Sequence, residues 1–259
     1  MSELQAIFTI AYRDFLKLIR DPARIASTFI FPVLFIGVLG GSLQSNLGAN
    51  AGYDLLTFVF TGVLAQTVFS STASGIISLI EDRENDFSQE IFVSPISRYS
   101  IVMGKILGES LVALPQGAAI IFFGLLVGAH LSWSRIILML PIGLLACVFG
   151  GAFGLLVLSN LTSQRAANQV FPFIMFPQFF LAGVFAPIKV LPWYLDILSR
   201  ITPMRYVVDL VRNFFYYVTP EYDKVVLASP AANFAVIGVM FVIFMTIGTY
   251  LFVRGERNR

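Results

Sequence analysis

Long apolar runs separated by short polar stretches dominate the chain. A bilayer core about 30 Å thick takes roughly 20 helical residues, each rising about 1.5 Å, to cross. Six stretches have that length, at 25–43, 55–80, 106–127, 136–158, 170–188 and 231–253, and only the third carries a charge, Glu109. The pattern predicts an all-α integral membrane protein with six transmembrane helices. Ahead of them, Leu4, Ile7, Phe8, Ala11, Phe15 and Leu18 recur at helical spacing opposite Arg13, Lys17, Arg20 and Arg24. This predicts an amphipathic interfacial helix, broken at Asp21-Pro22 before the first span. No small-residue cleavage site follows a short apolar core, so no signal peptide is expected.

Short-period repeats and Gly/Ser-rich linkers are missing, and the chain reads as one membrane domain, 1–259. Within it, 1–24 is the amphipathic connecting helix, 25–253 the membrane region and 254–259 a tail. Lys and Arg beside the spans set orientation. Arg13, Lys17, Arg20, Arg24, Arg83, Arg98, Lys105, Arg165, Arg254, Arg257 and Arg259 all fall on one side, which predicts both termini in the cytoplasm of a multi-pass inner-membrane protein. The segment 189–230 opposes this with Lys189, Arg200, Arg205, Arg212 and Lys224, but its length weakens its vote.

Two segments between spans carry more pattern than a solvated loop needs. After the second span, Asp86 and Gln89 resemble a capping box, so a short helix is expected over 87–93, ending before Ser94-Pro95. Phe87 and Ile91 would share its face and suggest docking onto a partner, the alternative being a helix lying on the headgroups. Between the fifth and sixth spans, Pro192-Trp193-Tyr194 and a helical pattern over 204–218 suggest short helices that dip into the outer leaflet with their polar ends wet. Arg205, Asp209 and Arg212 are spaced to pair with one another there.

Composition narrows the chemistry. Hydrophobic residues make up 57% and charged residues 12%, with a net charge of +2, so neither a soluble domain nor a nucleic-acid footprint is expected. One cysteine, Cys147, and one histidine, His130, cannot build a zinc site on two or more such ligands or a disulfide framework. Gly104-Lys105 is the only Gly-Lys pair, and it lacks both the preceding glycine and the following Ser or Thr of a P-loop. The chain is therefore expected to be no ATPase and no enzyme, with neither a catalytic nor a metal site and no bound cofactor. Glu109 is an intramembrane ionisable group, and Lys105 four residues earlier is its natural ion-pair partner. Thr67, Ser71, Ser74 and Ser78 form a hydroxyl stripe on span two, suited to helix packing or to a pathway. Phe173, Phe176 and Phe180 line one face of span five, and Gly143, Ala146, Gly150 and Gly154 form a small-residue seam on span four.

Together these features resemble the membrane permease of type-2 (type V fold) ABC exporters. One pattern runs from Glu81 through Glu84, Glu90, Ser94-Pro95 and Ser97-Arg98 to Gly104-Lys105, and is similar to that family's loop after span two. The other comprises Ala182-Gly183-Val184-Phe185-Ala186-Pro187, Leu191-Pro192 and Thr202-Pro203-Met204-Arg205-Tyr206, and resembles its span-five exit and outer helices. Within the family the chain looks most similar to the multidrug, daunorubicin- and nodulation-type branch. The resemblance implies two permease copies, a homodimer or related chains, joined to two separate ATPase subunits that bind ATP and Mg. It implies a cytoplasmic coupling helix in the loop after span two, with Glu81, Arg83, Glu84, Asp86, Phe87, Glu90, Ile91, Ser94 and Pro95 meeting the ATPase. It also implies re-entrant outer helices and a central pathway, to which Thr67, Ser71, Ser74, Phe173, Phe176 and Phe180 are assigned. The expected function is ATP-driven export of hydrophobic or amphipathic molecules, drug or lipid-like. Export of polysaccharide or lipid-linked glycan is the alternative, and an ATP-independent channel or secondary transporter the second.

Overall fold

The computed structural model describes residues 3–20, 29–84, 97–159, 161, 163–189 and 191–257. An amphipathic helix α1 (Glu3–Ile19) precedes α2 (Phe29–Ala51), whose middle, Leu34–Gly40, winds as a π-helix. The helices α3 (Leu55–Gly75) and α4 (Ile77–Glu84) follow almost without a break. Next come α5 (Arg98–Leu126), α6 (Trp133–Leu158) and α7 (Gln164–Leu181). Three short helices, α8 (Trp193–Ile201), α9 (Pro203–Phe215) and α10 (Tyr222–Val225), lead to α11 (Pro230–Arg257).

Helix α3 is the axis of the bundle. Phe58, Phe60, Val63, Ala65, Phe69 and Ala73 are inaccessible and are covered by α5, α6, α9 and α2. The Asp54 carboxylate caps its start by accepting the Thr57 amide, as expected of an aspartate at that position. Helix α6 reaches α3 backbone to backbone: a Cβ on Gly150 would collide with the Phe69 carbonyl, and one on Gly154 with that of Ala73. The predicted seam is thus a packing seam, except that Gly143, at its far end, faces open space.

The expectation of six spans is wrong. Five helical segments among the described residues are long and apolar enough to cross a membrane: Phe29–Ala51, Leu55–Asp82, Tyr99–Leu126, Trp133–Leu158 and Tyr222–Arg254. The fifth predicted span fails because its apolar run is not one helix. Helix α7 ends at Leu181, and Gly183 at φ 73° turns the backbone away. Only the part from Val170 to Leu181 is free of the polar start Gln164, Arg165, Asn168 and Gln169, and it rises roughly 18 Å, well short of a bilayer core.

Nor do the short helices form a re-entrant pair with wet ends. Helix α9 is inside the protein, with Val207, Val208, Asp209, Leu210, Val211, Arg212 and Asn213 all buried. The coupling helix expected over 87–93 falls outside the described residues, as does the Asp21-Pro22 break, and the described residues give no support to a coupling helix.

Candidate functional site

At the Glu84 end of the bundle, three helices converge on a buried ammonium. Lys105 of α5 is 1% exposed, and its Nζ lies 3.0 Å from an Asp14 carboxylate oxygen and 2.8 Å from one of Asp82. Arg13 reaches Asp82 at 2.6 Å and Asp14 at 3.0 Å, and Lys17 reaches Asp82 at 3.4 Å. Burial acts against the Arg13 charge, yet the two carboxylates outweigh it and raise its pKa above the ordinary arginine value. Two acids and three cations therefore tie α1 and α5 to α4, directly before the 85–96 segment.

The local folding that builds this cluster is legible residue by residue. Helix α1 lies along α5, where a Cβ on Gly104 would press on Ile7 and Ile10, and one on Gly108 on Ala11 and Asp14. The two glycines let the helices approach closely enough for Asp14 to reach Lys105. At the start of α5 the Ser97 hydroxyl accepts the Ser100 amide at 3.1 Å, and the Glu3 carboxylate accepts the Ser97 amide at 3.1 Å. Hydrogen bonds from Ser100 and Ser97 hold the Glu3 carboxyl below the usual carboxylate range.

Lys105 and Glu109, expected to form a pair, take different surroundings. Lys105 is drawn to Asp14 and Asp82, while the Glu109 carboxylate packs against Gly75 and accepts the Ser78 hydroxyl at 3.1 Å. Helix α5 starts at Arg98, so Glu109 lies about three turns in, deeper than the apolar run alone suggested. The acidic partners Asp14 and Asp82 were missed by sequence reasoning. Asp14 carried a signal, since it stands three and seven residues after Ala11 and Ile7, on the arc of α1 that faces α5. The apolar stripe read along α1 in fact divides, with Ala11 buried and Leu4 and Phe8 exposed.

Of the docking residues, Glu81, Arg83 and Glu84 sit on α4, and the Glu84 carboxylate accepts the Gln164 amide at 3.1 Å. Asp86, Phe87, Glu90, Ile91, Ser94 and Pro95 lie outside the described residues, as does the side chain of Arg83. The assigned pathway residues divide. Thr67 is buried, and its hydroxyl has no partner among the described residues. The Ser74 hydroxyl donates to the Ser71 carbonyl at 3.0 Å. Phe173, Phe176 and Phe180 are 81%, 61% and 55% exposed, so they are not core. Phe176 and Phe180 belong to an aromatic wall. Phe31 stacks on Phe35 at 4.1 Å between centroids, Phe35 stacks on Phe185 at 4.5 Å, Phe185 meets Phe180 edge-on at 5.8 Å, and Phe180 meets Phe176 edge-on at 5.4 Å.

Arg205, Asp209 and Arg212 do not serve one another as expected. Arg205 turns to Asp196 at 3.3 Å, and Asp209 accepts the amides of Leu227 and Ala228 at 2.7 and 2.9 Å. Arg212, fully enclosed, donates to the carbonyls of Gly183 at 2.8 Å and Phe58 at 3.3 Å and lies 3.6 Å from the Phe58 ring centre. It fastens the turn after α7 onto α3. At Asp196 burial pushes the carboxyl up, but the bonds from Arg205 and Arg200 prevail and lower it.

Residues 5–216 match the sequence profile of the ABC-2 type transporters. A transport permease of Cyanophora paradoxa, ycf38, is 25% identical, covering 96% of this chain and 88% of its own length. An inner membrane transport permease of Escherichia coli K12, YadH, is 24% identical over 87% of this chain and 86% of its own. A multidrug ABC transporter permease of the same strain, YbhR, is 25% identical over 64% of this chain and 45% of its own.

Proposed function

The chain belongs to the ABC-2 type transporter family, and from that membership we propose that it is the membrane half of an exporter for hydrophobic or amphipathic molecules, drug or lipid-like. That it is a multi-pass transmembrane permease without an ATPase domain of its own follows from the family, whose permeases generally pair with a separate ABC ATPase subunit. We place the chain in the type V fold, in the multidrug, daunorubicin- and nodulation-type branch, in the inner membrane with both termini cytoplasmic.

The observation that carries the cargo assignment is the aromatic wall on α2 and α7. Phe176 and Phe180 present ring faces that no packed core covers, and such faces take up apolar and flat molecules. Ser71 and Ser74, half-buried on α3, would suit the polar end of an amphipathic cargo, whereas the assigned Thr67 is enclosed. Helix α2 supports pairing with a second copy, since Ile30, Leu34, Val38 and Leu47 leave most of this span uncovered by its own chain. The pathway then lies between two permeases, lined by α2, α3 and α7. On the cytoplasmic side the ATPase would meet the segment from Glu81 to Pro95. The Lys105 cluster would pass its movement to α1 and α5, because it joins both to α4.

The test is reconstitution of the permease with its ATPase in liposomes, reading ATP hydrolysis as cargo is added. Stimulation by amphipathic drugs or lipid analogues, but not by soluble oligosaccharide, is the expected result. Stimulation by oligosaccharide alone would assign the cargo to the glycan exporters instead.

A further inference from the structure

Two cavities share three elements of the bundle. The larger, about 600 Å³, is an apolar groove between α3, α5 and α6, lined by Leu64, Val68, Ile121, Trp133, Ile136 and Gly143. It also touches Val211 of α9. The smaller, about 380 Å³, is polar and is lined by Asp54, Thr57, His130, Arg135, Tyr216 and Glu221. Thr57 stands two turns of α3 from Leu64, roughly 10 Å, and Arg135 directly precedes Ile136. The polar cavity therefore lies just beyond the groove, towards the Asp54 end of the bundle.

The polar cavity carries both signs of charge. The Arg135 guanidinium lies 5.4 Å from the Phe215 ring centre and reaches the His130 carbonyl at 3.5 Å. Asp54 and Glu221 bring carboxylates to the same cavity. The Tyr216 side chain is 4% exposed, and its hydroxyl has no hydrogen-bond partner among the described residues. A buried hydroxyl left without a partner costs about 1–3 kcal/mol, and the Asp54 and Glu221 carboxylates act on it from the same cavity. Burial pushes its pKa up, and it remains a donor.

We propose that these cavities together bind one bilayer phospholipid with a zwitterionic amine headgroup, of the phosphatidylethanolamine class. One acyl chain fills the groove, the phosphate meets Arg135, and the ammonium faces Asp54 and Glu221. A groove of this size and apolar lining, open to the side of a membrane bundle, fits a hydrocarbon chain. A headgroup carrying both signs matches a pocket carrying both. Trp133, 77% exposed at the start of α6, stands where indole rings favour the boundary between chain and headgroup. This assignment is independent of the cargo and of the ATPase.

Gly143 provides the decisive variant. A Cβ there meets nothing within 4 Å, so Gly143→Phe fills the groove without disturbing the packed seam. Full-length protein, delipidated in detergent, is titrated with dioleoylphosphatidylethanolamine, dioleoylphosphatidylglycerol or soluble glycerophosphoethanolamine. Native mass spectrometry reads occupancy, and thermal unfolding reads stabilisation. Preference for the ethanolamine lipid over the glycerol lipid by about tenfold is expected. That binding should fall by at least as much in Gly143→Phe and in the double variant Arg135→Gln, Glu221→Gln, with no effect of the free headgroup. Equal binding of the two lipids, binding of the free headgroup alone, or unchanged occupancy in either variant overturns the proposal. Occupancy is counted on folded protein, so a variant of lowered stability still reports on lipid binding.

Discussion

The Lys105 ammonium lies 2.8 Å from the Asp82 carboxylate, and so joins α5 to the end of α4 where the 85–96 segment departs. A lysine 1% exposed would be costly alone, and Asp14 at 3.0 Å completes its neutralisation. Removing one member of such a buried set leaves an uncompensated charge, at a cost of about 3–5 kcal/mol, whereas removing charges together costs far less. Asp14→Asn with Asp82→Asn, which strands the buried Lys105, should therefore lower thermal stability steeply, and Lys105→Met in the same chain should recover much of the loss. A double-mutant cycle on detergent-solubilised protein measures this. Strict additivity would mean that the groups do not act as a unit.

The glycine seam makes a prediction with an internal contrast. Gly150→Ala and Gly154→Ala force a methyl group onto the α3 backbone, whereas Gly143→Ala adds one in open space. The first two should each cost roughly 1–3 kcal/mol by overpacking, and the third should stay within about 0.5 kcal/mol. Unfolding temperatures of the three variants check it.

The long helices were legible in the sequence because a charge-free run of bilayer length has few other uses. Hydropathy misled at α7, where it ran on through Ala182 to Ile188 although Gly183 at φ 73° had already ended the helix. The end of α2 was also missed. Gln44, Ser45 and Asn46 lie past the predicted span at 25–43, but the Ser45 hydroxyl and the Asn46 amide donate to carbonyls one turn back and the helix continues to Ala51. At the site, Lys105 and Glu109 stood out as charges near or within an apolar run. Asp14 and Asp82 did not, because their meeting with Lys105 is made by the packing of α1 and α4 around α5, which no local spacing contains. Helix α9 shows the same limit. Its charges looked suited to i,i+4 pairing, but the protein interior supplies carbonyls and amides that satisfy them separately.

Orientation is open to a direct chemical check. Asn50 and Tyr222 belong to the same end of the bundle, where Lys224 donates to the Gly52 carbonyl at 2.9 Å. With Cys147 replaced, cysteines at positions 50 and 222 should react with an impermeant thiol reagent in intact cells, while one at Ser88 should not. Labelling of position 88 from outside would reverse the assigned topology.

The aromatic wall predicts a change in cargo choice. Phe176 and Phe180 are more than half exposed, so truncation to Ala should not incur the cost of about 3–5 kcal/mol typical of a core phenylalanine. Phe176→Ala and Phe180→Ala should leave the amount of folded protein near wild type and shift the transport ratio of two chemically different cargos. Loss of transport in strict proportion to folded protein, with the ratio unchanged, would make α7 a packing helix.

A separate ATPase that engages this chain after Glu84 is central to the proposed export, and affinity purification of the tagged permease from its native membrane tests that engagement most directly. An ABC ATPase subunit is expected in equimolar amount. Its yield should drop in Phe87→Ala and Glu90→Lys, where loss of an anchor worth about 2 kcal/mol weakens association roughly thirtyfold. Recovery of the folded permease with no ATPase, together with cargo movement that does not need ATP, would contradict it.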